Sequence, residues 1–314
     1  MTLQEPSTFA ADALNPHLAV MVLPRWQRHP AAVFQPKSGA FPVIHRRHAL
    51  GLFAAASLLP ARSFANVSYQ RSEFRNDLTK RFFDLGTEGT FVGYKVDDYL
   101  IIASDKVRSG DDKLPASTFK IPNSLIALET GVVTDPDKDV FPWDGVKRPI
   151  EAWNKDHTLR SAIAVSAVPV YQEIARRIGQ ERMQKYVDLF DYGNRDIGGG
   201  IDQFWLTGNL RIDPVEQIDF VDRLRRRTLP ISKRSQDLVA DILPVTKVGD
   251  SVIRAKSGLL GAERGEPSLG WMVGWAEKGE AHTVFALNMD CPEPRHIAAR
   301  MTLTQDCLAE IGAI

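Results

Sequence analysis

From Val67 onward the apolar positions fall into three blocks with different periods. Ser72–Leu85 repeats apolar residues at helical spacing and runs into Gly86, which predicts a glycine-capped helix. Gly89–Tyr94 and Tyr99–Ala103 are short apolar runs joined at Asp97-Asp98, the pattern of two strands and a turn. The middle of the chain reads as helical over Ser117–Glu129 (ended by Gly131), Ser161–Ile178, Glu181–Phe190, Val215–Arg227 and Ser235–Leu243. Strands return at Ser251–Lys256, Leu269–Glu277 and His282–Asp290, the last two joined by a tight turn at Lys278-Gly279-Glu280. Pro294–Ile311 closes the chain as a helix.

Strands at both ends need partners, and one shared sheet serves both groups. Short connections between neighbours imply antiparallel pairing. The expected architecture is α+β: an antiparallel sheet flanked by helices, with a mainly helical region inserted between its two strand groups.

The first 65 residues differ from the rest. Pro24, Pro30, Pro36 and Pro42 recur every six residues and break any helix, so 1–44 is expected to be an unstructured extension. Arg46-Arg47 then precede the uncharged stretch His48–Ala61, too short for the roughly 20 residues that span a bilayer. With the small-residue site Ser63-Phe64-Ala65, residues 45–65 read as a secretory signal, leaving 66–314 as the exported domain. The paired arginines also permit twin-arginine export. Signals begin close to their basic region, so a non-ATG start at Val43 is the expected origin of translation. Export is to an oxidising compartment, where Cys291 and Cys307 could pair if their geometry allows.

Lys+Arg and Asp+Glu both number 39, and this balance argues against nucleic acid as a partner. Two cysteines cannot form a four-ligand zinc site, and the seven histidines show neither HxH nor HExxH spacing, so no metal is expected.

Four short motifs carry chemistry. Ser117 and Lys120 lie one turn apart where the long middle helix begins, a spacing that can put a base beside a serine nucleophile. The helix N-terminus favours an oxyanion there. Ser166 and Val168 lie in an apolar stretch interrupted by Pro169. Tyr192-Gly193-Asn194 follows a helix, and Lys256-Ser257-Gly258 ends a strand, where a charge, a hydroxyl and a bare backbone would admit an anionic substrate. Taken singly, each is also what a helix cap, a core hydroxyl or a turn glycine would show.

Together, and in this order, Ser-x-x-Lys, Ser-x-Val, Tyr-Gly-Asn and Lys-Ser-Gly resemble the class D serine β-lactamases, the oxacillinases. Phe119-Lys120-Ile121-Pro122-Asn123-Ser124, Phe204-Trp205-Leu206 and Gly274-Trp275 extend the resemblance across roughly Tyr69 to Ile314. It implies the fold shared with penicillin-binding transpeptidases, a periplasmic bacterial location, and hydrolysis of the β-lactam amide by a monomer or a homodimer. No cofactor is implied beyond CO₂ or bicarbonate. Ser117 would be the acylated nucleophile, and Lys120, carrying a CO₂-derived carbamate, the general base. Trp205 would hydrogen-bond that carbamate and Val168 would shield it. Ser166 and Lys256 would pass a proton to the lactam nitrogen, and Ser257 with Arg300 would hold the substrate carboxylate, Arg295 being the competing choice. The N–H groups of Ser117 and Leu259 would form the oxyanion hole, and Tyr192 and Gly258 complete the expected substrate-binding set.

Two relatives of the family share these motifs. A β-lactam sensor would need several membrane spans and a metalloprotease domain, and the chain has neither a ~20-residue apolar run nor HExxH. A penicillin-binding transpeptidase would usually carry Asn where Val168 stands.

Overall fold

The computed structural model describes residues 71–261 and 268–314; the predicted extension, start and signal lie outside these residues. One seven-stranded sheet forms the middle layer, in the order β1-β3-β2-β7-β6-β5-β4. Its strands are β1 (Arg71–Phe74), β2 (Gly89–Lys95), β3 (Leu100–Ala103), β4 (Val245–Val248), β5 (Ser251–Leu260), β6 (Leu269–Lys278) and β7 (Ala281–Asp290). All neighbours pair antiparallel except β1 with β3. As expected, both strand groups share one sheet, joined where β2 pairs β7 from Gly89↔Met289 to Lys95↔Thr283.

Residues on β7 alternate between two cores, which is why its sequence is apolar without a gap. Val284 and Ala286 join the core beneath the helical region, while Phe285, Leu287 and Met289 face α1 (Asn76–Leu85) and α8 (Pro294–Glu310). A strand buried on both faces loses the polar alternation of a half-exposed one. On β5 the same alternation sends Ile253 and Ala255 toward α8 and turns Lys256 and Gly258 to the helical side.

The inserted region holds α2 (Lys120–Glu129), α3 (Leu159–Ala164), α4 (Val168–Ile178), α5 (Gln180–Leu189), α6 (Pro214–Arg225) and α7 (Lys233–Ile242). α2 is buried at every position from Lys120 to Leu128, so it is the axis around which the others pack.

Three expectations need correction. The helix predicted from Ser72 starts at Asn76, because Arg71–Phe74 pair in parallel with the open edge of β3; its Gly86 cap stands, at φ 78°. The helix predicted over Ser161–Ile178 is two helices. Pro169 can begin α4 because first-turn N–H groups need no partner, and between the helices Ser166 adopts φ 57°. β5 does not stop at Lys256 but continues through Ser257 and Gly258 to Leu260. β4, four residues on the sheet edge, has no clear sequence signature. Cys291 and Cys307, whose pairing the sequence leaves open, are both buried free thiols.

Candidate active site

The site is built where the inserted region rejoins the sheet. A 3₁₀ turn over Ala116–Phe119 leads directly into α2, so Ser117 stands just ahead of the helix and Lys120 begins it. The turn is tightly held. Ala116, at φ 51°, donates its N–H to Trp205 O at 3.0 Å, and Thr118 N donates to Pro115 O at 3.1 Å. Trp271 Nε1 donates to Leu114 O at 2.9 Å just upstream. Gly258 on β5 lets the turn approach the sheet. A Cβ there would lie 3.0 Å from Trp271 Cβ, 3.2 Å from Thr118 Cγ2 and 3.3 Å from Pro115 O.

Lys120 Nζ lies 2.8 Å from Ser117 Oγ, and its side chain is 0% exposed. Its nitrogen also lies 5.1 Å from the centre of the Tyr171 ring. Such a face favours a cation, but loss of solvent opposes it and dominates. Burial first, and the Lys256 charge second, hold the Lys120 amine well below the ordinary lysine range.

Lys256 Nζ reaches Ser166 Oγ at 3.1 Å and Ser257 O at 2.8 Å. Burial, with a smaller contribution from Arg300, lowers its pKa to about 7. The positive φ of Ser166, which costs of order 1–3 kcal/mol in a non-glycine residue, accompanies its hydroxyl's meeting with a lysine 90 positions away. Strain of this kind is concentrated at functional sites.

Arg300 on α8 donates to Gly258 O across the strand, whereas Arg295 is exposed and pairs with Glu293 at 2.9 Å. The structure thus brings Arg300, not Arg295, to the Lys-Ser-Gly strand. Gly270 makes room for it: a Cβ there would sit 2.8 Å from Arg300 Cδ. Leu259 follows Gly258 with its side chain 37% exposed. Among the described residues a cleft of about 640 Å³ adjoins the end of this strand, lined by Leu114, Leu206, Leu260 and Leu269 and by charged residues that include Arg108, Lys113, Arg211 and Asp290.

Ser117 beside the buried Lys120, the half-buried Ser166 beside the buried Lys256, and Arg300 of α8 held on Gly258 O together offer the groups that acyl transfer requires: a hydroxyl next to an amine, a second hydroxyl–amine pair and a fixed guanidinium. Comparison with known proteins shows the family. The family model of the penicillin-binding protein transpeptidase domain matches residues 93–309. β-Lactamase OXA-48 of Klebsiella pneumoniae is 48% identical over 203 residues, covering 65% of this chain and 76% of that protein. β-Lactamase OXA-5 of Pseudomonas aeruginosa is 42% identical over 236 residues, covering 75% and 88%. The crystal structure of FUS-1 (OXA-85), a class D β-lactamase from Fusobacterium nucleatum subsp. polymorphum, matches with TM-score 0.73 and 35% identity, covering 77% of this chain and 99% of that one. This chain belongs to the class D serine β-lactamases. The reaction of that class is hydrolysis of the β-lactam amide, and it takes precedence here over the sensor and transpeptidase readings.

Two residues of this class D site lie deeper than a substrate contact would. Tyr192, expected to bind substrate, is 1% exposed, and its hydroxyl accepts from Gln217 Nε2 at 3.3 Å. Gly193 and Asn194 beside it clamp two loops: Asn194 Oδ1 accepts from Arg211 N at 3.0 Å and its Nδ2 donates to Asn209 O at 2.9 Å. Tyr-Gly-Asn therefore supports the loop carrying Trp205 rather than lining the cleft. Trp205 itself is 0% exposed and stacks on Phe119, centroids 5.5 Å apart. Its Nε1–H is buried without a hydrogen-bond partner. Val168, half-buried, opens α4 two residues after Ser166.

Sequence reasoning missed Tyr171, Ser124 and Gln217. Tyr171 hydroxyl meets Ser124 Oγ at 2.8 Å, and Ser124 Oγ donates to Lys120 O at 2.7 Å, tying the lysine's helix to α4. A buried serine or glutamine on a helix has no sequence signature distinct from a solvent-facing one.

Proposed function

We propose that this enzyme opens β-lactams through an acyl-enzyme on Ser117, with Lys120 as the site of its general base. The observation that carries the reading is the 2.8 Å approach of a fully buried, depressed-pKa Lys120 amine to Ser117 Oγ. A protonated lysine, with its usual pKa near ~10.4, could not accept the serine proton.

The environment suits a CO₂-derived carbamate on Lys120. Addition of CO₂ needs a neutral amine, and the unpartnered, buried Trp205 Nε1–H is a donor in want of an acceptor oxygen. The carbamate would supply an anionic basic oxygen beside the serine hydroxyl, with Trp205 as its hydrogen-bond donor and Val168 as part of its shield.

The chain's other residues divide the remaining work. Ser117 and Leu259 N–H groups receive the oxyanion, on a turn and a strand that Gly258 lets close together. Lys256, with a pKa of about 7, can hold or release a proton near neutrality, and Ser166 Oγ at 3.1 Å extends its reach toward the lactam nitrogen. Ser257 and Arg300 hold the substrate carboxylate, the guanidinium already being fixed on Gly258 O. The cleft beyond Leu260, lined by leucines and charged residues, receives the acyl side chain. Residues 45–65, read as a signal, support export of the enzyme to the periplasm, where such antibiotics arrive.

Nitrocefin hydrolysis followed through many equivalents tests the reading. Sustained turnover that vanishes in Ser117→Ala supports it; a single stoichiometric burst, or turnover retained in Ser117→Ala, overturns it.

A further inference from the structure

Gln217 has no assigned role, yet it is 1% exposed and its amide lies beside the nucleophile's neighbour. It sits one turn inside α6, whose start is locked. Asp213 Oδ1 accepts from Glu216 N at 2.7 Å, Glu216 Oε2 accepts from Asp213 N at 3.2 Å, and Ile212 and Lys113 exchange backbone bonds at 3.0 and 2.9 Å. From this fixed base Gln217 Nε2 donates to Thr118 Oγ1 at 2.9 Å and to Tyr192 hydroxyl at 3.3 Å.

The direction of each bond follows from the donors available. An amide NH₂ only donates, and a hydroxyl has one proton and two acceptor sites. Thr118 Oγ1 gives its proton to Pro115 O at 2.7 Å, so toward Gln217 it can only accept. With one bond donated and one accepted, the Thr118 hydroxyl is held from both sides and its rotamer is fixed. That rotamer holds the Thr118 methyl against the bare Cα of Gly258, where an added Cβ would be only 3.2 Å away.

We infer that Gln217 is a positioning residue for acylation: acting through the Thr118 hydroxyl, it sets how the Ser117 turn seats against Gly258 and Leu259 of β5. The inference rests on the reading of Ser117 as nucleophile. Gln217 touches no reacting atom. Without its amide, Thr118 can rotate, its methyl leaves Gly258, and the two N–H groups that must converge on one oxygen separate. A misplacement of ~1 Å in such a pair costs on the order of 10²-fold in rate.

The test is stopped-flow acylation by nitrocefin in Gln217→Met, Thr118→Val and the double variant, with thermal melts as a folding control. Each single variant should acylate about 10- to 100-fold more slowly. The double should be no slower than the slower single, because both remove one linkage. Wild-type acylation in Gln217→Met, or single effects that multiply in the double, would overturn the inference. If Gln217→Met does not fold, Thr118→Val decides alone: it keeps methyl bulk beside Gly258 but lacks the hydroxyl that anchors it, and acylation at the wild-type rate overturns the inference. A Ser117→Ala control that still turns over would instead defeat the nucleophile assignment.

Discussion

Ser166 Oγ and Lys256 Nζ meet at 3.1 Å across the junction between the helical region and the sheet. Neither could do so from regular structure on both sides. Lys256 comes from the middle of a ten-residue strand, and Ser166 reaches it from a break between two helices at φ 57°. Two consequences of this junction, a buried lysine pair and a tightly packed strand, yield the following measurements.

Activity should fall at mildly acidic pH and recover when bicarbonate is added. Acid protonates the Lys120 amine and reverses CO₂ addition, whereas burial favours the neutral amine. Trp205→Ala should show a milder defect that extra bicarbonate partly repairs, since it removes a donor to the group rather than the lysine that bears it. A bicarbonate titration of nitrocefin turnover between mildly acidic and neutral pH is the measurement; no rescue in either protein would count against carbamylation.

Lys256 should cost stability below its unfolded pKa. Its folded pKa, about 7, lies below the ordinary lysine value of 10.5, so between these values the unfolded chain binds more protons and stability rises with pH. The penalty is full below about pH 7 and absent above the unfolded value. Lys256→Met should therefore be inactive, more resistant to urea at pH 7, and show a flatter dependence of urea midpoint on pH between 7 and 9.5. A variant whose midpoint rises with pH as steeply as the parent would contradict the assignment.

Gly258→Ala should fold less stably and acylate about 10²-fold more slowly, because its methyl must displace Trp271 or the Thr118 and Pro115 turn. Differential scanning calorimetry with single-turnover kinetics would show it; unchanged acylation would mean that the turn seats elsewhere.

Arg300→Ala should raise KM for penicillins well above its effect on kcat, since it removes a carboxylate anchor and leaves Lys120 beside Ser117. Arg295→Ala, on the exposed side of α8, should change neither. Steady-state kinetics on both variants checks the pair, and a KM effect confined to Arg295→Ala would reverse the assignment.

Much of this site was legible because its chemistry-bearing residues fall in short motifs, and the sheet was legible where β6 and β7 keep continuous apolar runs. The rest was hidden for identifiable reasons. Pro169 interrupts an apolar stretch without saying whether it bends a helix or opens a new one, and only the fold shows that it opens α4. Lys-Ser-Gly looked like a strand end because glycine is a poor strand residue. It lies mid-strand because the Thr118 methyl and Pro115 carbonyl occupy the space a side chain would need. Tyr192 and Gln217 are polar groups whose value lies in bonds to residues distant in sequence, which no local pattern encodes.

The central claim, that Lys120 bears the base for both halves of the reaction, is tested most directly by intact-mass spectrometry of Lys120→Ala during nitrocefin hydrolysis. A positioned general base is worth ~10²–10⁴-fold in rate, and deacylation should fall at least that far. The account predicts a stable adduct on Ser117 and no sustained turnover in the variant, while the parent shows turnover and no accumulated adduct. Lys120→Ala turning over at a near-parental rate, with no adduct on Ser117, would contradict it.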